Sequence, residues 1–292
     1  MRSLYKSDPG RRIIERWCRT RIDEWPVRHR RGLITVDRSQ AHLTFIGEGT
    51  PKVVFVPGTN FNIATCLGVA EVLGDRWSTL VVDMPGQPGL SSGERPRRPL
   101  AARPYKQPWY AAVLAQVLKY TGVKDAVVVG NSLGAAIALA CESDRIAARV
   151  LYSPGGIVPL KTDALLMRRS AAWLMRPSPE RTRSLLDLFV APGHAPEAAT
   201  VAWMELVARY CRTTLAPAPL APQQLHRWKG APVVAAVGEH DRFLPPDRLG
   251  PAVEAALGRE LHVLHGVGHL AVEERPDDVV PLVEEAIALA AR

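Results

Sequence analysis

The 292-residue sequence predicts an α/β fold, with a mostly parallel central sheet, helices on both faces and an all-helical insertion. Three observations carry this expectation. Short apolar strand-like runs alternate with helical stretches on both sides of the chain's middle. The alternation lapses between residues 157 and 228. One apolar run, "DAVVVGNSLGAAIALAC" (125–141), is broken by glycines around a serine where a strand should hand over to a helix.

At the N-terminus, "RRIIERWCRTRIDEW" sets Ile13, Ile14, Trp17, Cys18, Ile22 and Trp25 on one helical face with arginines between them. The stripe predicts a helix docked on the rest of the protein. A basic membrane-surface or partner-binding helix is the competing reading. Strand signals follow at 33–36, 41–47 and 52–58, then a helix over 63–74 and the strand "STLVVD" (78–83). That strand ends in a Gly/Pro loop, "MPGQPGLSSGERPRRP". A helix over 109–122 closes on a glycine. "DAVVVG" is a strand, "SLGAAIALAC" a helix and "ARVLYSP" (148–154) a strand. The insertion reads as helices at 160–176, 179–190 and 196–214, separated by prolines. Beyond it come a strand at 231–238, a helix at 247–257, a strand at 260–266 and a final helix at 277–291.

Composition narrows the function classes. With 47% hydrophobic and 23% charged residues, the chain can bury a substantial core. No apolar run approaches the roughly 18 to 20 residues needed to cross a membrane. No signal-peptide-like apolar segment follows the basic N-terminus, so a cytoplasmic protein without membrane insertion is expected. Cys18, Cys66, Cys141 and Cys211 lie far apart, which suits packed reduced thiols rather than disulfides or a metal site. Net charge is +8, but residues 1–31 hold ten basic against four acidic residues and residues 157–228 nine against five. The remainder is close to neutral, which argues against a nucleic-acid-binding body.

In an open α/β sheet, functional groups gather at the carboxyl ends of the strands. There the predicted strands deliver Pro57–Asn60, Asp83 and Gly86, Asn131 and Ser132, Glu239 to Asp241, and Gly268 with His269. Gly130-Asn131-Ser132-Leu133-Gly134 has the Gly-x-Ser-x-Gly pattern of a sharp strand-to-helix turn that exposes its serine. A serine hydroxyl needs a base. His269, in a loop before a helix, is the candidate, with His265 as competitor. The base needs an acid to fix its tautomer. Asp241 is the candidate, with Glu239 as the alternative. The backbone amides of Leu133 and Thr59 are the expected oxyanion donors.

Taken together, these residues resemble the α/β-hydrolase superfamily over about residues 32 to 292, the helical insertion sitting where that family carries its lid; "PGTNFN" and the N-terminal helix ending in "EWPV" look most like a bacterial carboxylesterase-type member. The resemblance rests on Gly130–Gly134, Asp241 with Pro245 behind it, His269 with "EERP" behind it, and "DMPGQPGLSSG", which is similar to a loop of esterases, lactonases and cofactor-free haloperoxidases. It implies a division into a basic helical extension (1–31), a hydrolase core (32–156 and 229–292) and a lid (157–228). Two departures stand out. Pro57-Gly58 replaces the family's common His-Gly, and Asn131 stands where many esterases have histidine. A Gly-Asn-Ser elbow also occurs in carbon–carbon-bond hydrolases.

The expected activity is therefore cleavage of a carboxylic ester or lactone by Ser132, His269 and Asp241 through an acyl-enzyme, without metal or organic cofactor. Asn60, Asn131, Trp173 and Trp203 are the candidate substrate contacts. Thioester cleavage or acyl transfer from an acyl carrier protein is an alternative, suggested by the basic insertion. A carbon–carbon-bond hydrolase and a non-catalytic small-molecule receptor on the same fold are two others.

Overall fold

The structure is a computed structural model and describes residues 1–36, 38–101, 107–212 and 218–292. Residues 2–3 pair antiparallel with residues 94–95. Helix α1 (Asp8–Asp23) opens at Ser7, whose side chain accepts from Gly10 N. Its buried line is Ile14, Cys18 and Ile22, one residue every fourth position. That spacing selects a narrower stripe than the sequence suggested. Ile13, a third of a turn away, is exposed, and Trp25 is buried beyond the helix end.

Strands β1 (His29–Val36) and β2 (Ser39–Ile46) form an antiparallel hairpin. The alternating core follows: β3 (Val53–Val56), α2 (Leu67–Arg76), β4 (Thr79–Asp83), α3 (Trp109–Tyr120), β5 (Ala126–Asn131), α4 (Leu133–Ala140) and β6 (Ile146–Tyr152). A single 3-10 turn (Ile63–Thr65) precedes α2. The insertion contains α5 (Ala164–Met175), α6 (Pro179–Leu186), α7 (Ala198–Tyr210) and a short α8 (Pro222–His226) that the sequence pattern did not single out. Residues 213–214 of the helix expected over 196–214 lie outside the described residues. The core resumes with β7 (Val233–Gly238), α9 (Pro246–Leu257), β8 (Leu261–Leu264), a one-turn α10 (Ala271–Glu274) and α11 (Val279–Ala290).

The eight strands lie in the order β8-β7-β6-β5-β3-β4-β2-β1. Every pair from β4 through β3 and β5 to β8 is parallel, and β1 and β2 are antiparallel. Side chains divide between two cores with period two. Val53, Phe55, Val127 and Val129 face the side of α1, α2 and α11, while Val54, Val56 and Val128 face α3, α4 and α9. Burial on both faces explains why these strands are continuous apolar runs rather than alternating ones. The chain leaves β3 for β4 on one side and reaches β5 on the other. The loops leaving β3 and β5 therefore lie side by side, at the switch point where such sheets form crevices. No helix among the described residues is long and apolar enough to cross a membrane.

Candidate active site

Ser132 is the single residue between β5 and α4, at φ +51° and ψ −104°. A left-handed φ costs a non-glycine residue about 1–3 kcal/mol, so its surroundings must hold it. Ser132 N donates to Tyr152 O at 2.8 Å, and Ser132 O accepts from Ala136 N and Gly155 N, each at 3.2 Å. The flanking glycines are a packing requirement. A Cβ on Gly130 would run into the backbone of Gly134 and Ala135, and one on Gly134 into the Val56 carbonyl. Asn131 and Leu133 are buried while Ser132 retains partial exposure.

Beyond β7, the Asp241 carboxylate is almost fully buried. Its Oδ1 accepts from the amides of Phe243 and Leu244, both at 2.9 Å, and its Oδ2 lies 2.7 Å from His269 Nδ1. Burial pushes this carboxyl's pKa up, but the neighbouring His269 and the Leu244 amide outweigh it and hold the group below its ordinary value. An ionised Asp241 fixes the tautomer in which His269 Nδ1 carries its proton, leaving Nε2 as the basic nitrogen. The imidazole stands edge-on to Phe243 and Phe189, with ring centroids 5.2 and 5.9 Å away. The two rivals weighed in the sequence sit elsewhere. Glu239 accepts from Gly266 N at 2.9 Å and lies 3.4 Å from Nδ1 of His265, which is 85% exposed. The His269 side chain bonds Asp241, and no hydrogen bond joins it to Ser132 Oγ.

Sequence reasoning missed Glu274. Its Oε2 accepts from Gly268 N at 2.7 Å, and its Oε1 accepts from Ala191 N at 2.9 Å and lies 2.8 Å from His194 Nδ1. One buried carboxylate thus ties the His269 loop to the insertion. Only its place in "EERP" could have drawn attention to it, and that gives no hint of its partners.

The loop after β3 borders the serine, for a Cβ on Gly58 would stand 3.5 Å from both Ser132 Cβ and Asn131 Nδ2. The Thr59 and Leu133 amides donate to no protein acceptor among the described residues. Thr59 Oγ1, Asn60 Oδ1 and Asn131 Oδ1 are likewise buried without a partner, leaving polar atoms for a ligand to meet. Asn60 N donates to Gln87 Oε1 at 2.9 Å, and Gln87 Nε2 to the Tyr110 hydroxyl at 2.7 Å; neither partner was foreseen. Asp83 is engaged by His42 Nδ1 at 2.9 Å and Ile63 N at 2.8 Å, so it braces this loop. The two candidate tryptophans are packed within protein. Trp173 Nε1 donates to Met204 O at 3.1 Å, and Trp203 Nε1 to Asn60 O at 2.7 Å. Among the described residues, no three His, Cys, Asp or Glu side chains gather as metal ligands.

The sequence profile of the alpha/beta hydrolase family matches residues 53–282. No curated protein matches by sequence. Several solved structures share the fold. Carboxylesterase CesB from Bacillus subtilis superposes with a TM-score of 0.77 at 15% identity, over 96% of this chain and 98% of its own. Naproxen esterase, also from Bacillus subtilis, gives 0.78 at 18% identity, over 96% and 99%. The 2-hydroxy-6-oxo-6-phenylhexa-2,4-dienoate hydrolase of Rhodococcus gives 0.67 at 21% identity, over 90% and 99%.

Proposed function

The chain belongs to the alpha/beta hydrolase family and is a hydrolase, and from that premise we propose that it cleaves carboxylic esters or lactones through a Ser132 acyl-enzyme. The observation that carries the reading is the 2.7 Å pair of His269 Nδ1 with a buried, ionised Asp241, at the sheet edge where Ser132 stands in a left-handed turn. His269 Nε2 takes the Ser132 proton as Oγ attacks the carbonyl. The oxyanion meets the Leu133 and Thr59 amides, each such donor supplying about 3 kcal/mol of transition-state stabilisation. His269 then protonates the leaving alcohol, activates water, and the acid is released. Residues 157–228 act as the lid. The contact of Phe189 with His269 and the bond from Trp203 to Asn60 support that role. The orphaned oxygens of Asn60 and Asn131 are the candidate polar contacts for substrate.

A carbon–carbon-bond hydrolase is the second reading. The Gly-Asn-Ser elbow favours it, as does the likeness to the Rhodococcus hydrolase.

Mass spectrometry of intact protein after fluorophosphonate treatment tests the serine mechanism common to the main reading. Wild type is expected to gain one adduct and Ser132→Ala none. An adduct retained by the variant, or no adduct on folded wild type, removes the mechanism. Turnover of p-nitrophenyl esters then separates ester cleavage from carbon–carbon cleavage.

A further inference from the structure

We propose that Trp203 is a positioning residue for the oxyanion-binding backbone, and that helix α1 belongs to the same device; this rests on the serine-hydrolase reading above. Asn60 has φ +66°, an uncommon conformation for a residue with a side chain. Two bonds pin it, one on each flanking peptide. Its N–H donates to Gln87 Oε1 at 2.9 Å, and its carbonyl accepts from Trp203 Nε1 at 2.7 Å. Peptide units are rigid planes, so an anchor at one end orients the other. The plane holding the Asn60 carbonyl also holds the Phe61 N–H, which donates to Gly58 O at 3.1 Å. The plane holding Gly58 O carries the Thr59 N–H at its other end. Trp203 therefore acts on the Thr59 amide through two planes and one hydrogen bond.

The indole is itself held from outside the hydrolase core. Trp203 is fully buried, and the Trp17 ring of α1 packs against it with centroids 4.8 Å apart. Cys18 Sγ lies 3.8 Å from Asn62 Oδ1, and Arg21 Nε lies 3.5 Å from Ala64 O, so α1 also contacts the turn that follows Asn60. The Tyr5 hydroxyl, ahead of the helix, bonds both the carbonyl and the amide of Gly89, at 3.1 and 3.3 Å. The helix that the sequence predicts to dock on the rest of the protein is packed on the turn that ends the loop bordering Ser132.

Trp203→Phe removes the N–H while keeping an aromatic ring for Trp17. With a p-nitrophenyl ester, kcat is expected to fall about 10- to 100-fold at a KM within about twofold of wild type. The rate of fluorophosphonate labelling at Ser132 should fall in parallel, because the phosphonyl oxygen uses the same donors. A raised KM with kcat retained makes Trp203 a substrate contact and overturns the proposal, as does no change in either constant. Trp17→Leu keeps the Trp203 bond but removes its support, and a several-fold loss of kcat at unchanged KM is expected. An unaltered kcat there removes α1 from the device. If wild type takes no label, the serine reading falls and this inference with it. If wild type labels and Trp203→Phe labels equally fast, this inference alone falls.

Discussion

At the scale of single residues, the site combines a strained serine with a buried carboxylate whose pKa is held below its ordinary value. Asp241 accepts two backbone amides and the His269 N–H. Replacing it with asparagine lets the amide present a donor to His269, which favours the wrong tautomer. Asp241→Asn should lower kcat by on the order of 10³- to 10⁴-fold, measured with a p-nitrophenyl ester. Because the folded-state pKa of Asp241 lies below its unfolded value, its contribution to stability is present above that unfolded value and is lost as pH falls through the folded one. Glu273 behaves oppositely. Its carboxyl is buried beside Cys66, Oε2 has no partner among the described residues, and burial raises its pKa well above the usual carboxylate range. The unfolded chain ionises this group as pH rises past the ordinary carboxylate value, and the folded state resists. Stability is therefore lost with rising pH until the folded pKa is passed. Glu273→Gln removes the penalty, so its Tm should exceed that of wild type by more at pH 8 than at pH 5. An advantage that does not grow with pH would show that the carboxyl ionises freely.

Among the elements, α4 depends most on exact local chemistry. Its small residues allow a close approach to the sheet, and its last carbonyls are met from beneath by a buried charge. Arg149 on β6 is 3% exposed; its Nε donates to Ala138 O at 2.9 Å and its terminal nitrogen to Cys141 O at 2.8 Å. Burial lowers its pKa to about 10, and the Trp228 ring lies 3.5 Å from the guanidinium carbon, a cation–π contact. A cation at the negative end of the helix dipole stabilises it, and here it also satisfies otherwise orphaned acceptors. Arg149→Ala leaves two carbonyls unmet and a cavity below Trp228, so a loss of about 3–5 kcal/mol in urea unfolding is expected. A loss below about 1 kcal/mol would mean that water replaces the guanidinium without cost. The insertion is fastened to the loops that follow β3 and β8, through Trp203 at Asn60 and Glu274 at Gly268.

Over the whole molecule, local sequence determined the strand and helix alternation, the all-helical insertion and the glycine-flanked turn at Ser132. These follow from hydrophobic period and from the space that a Cβ would need, both properties of neighbouring residues. It also determined which side chains the strand ends carry, because loop residues follow their strands directly. The tertiary structure decided which acid meets which histidine. Asp241 and His269 are 28 positions apart, and their meeting depends on β7 and β8 pairing in register. Glu239 and His265, equally plausible in sequence, turn to each other at an exposed rim. The roles of Glu274, Gln87 and Trp203 were invisible for the same reason. Trp203 reaches Asn60 across 143 residues, a contact set by the packing of α7 on α1 and on the 3-10 turn after β3, to which local propensity is blind.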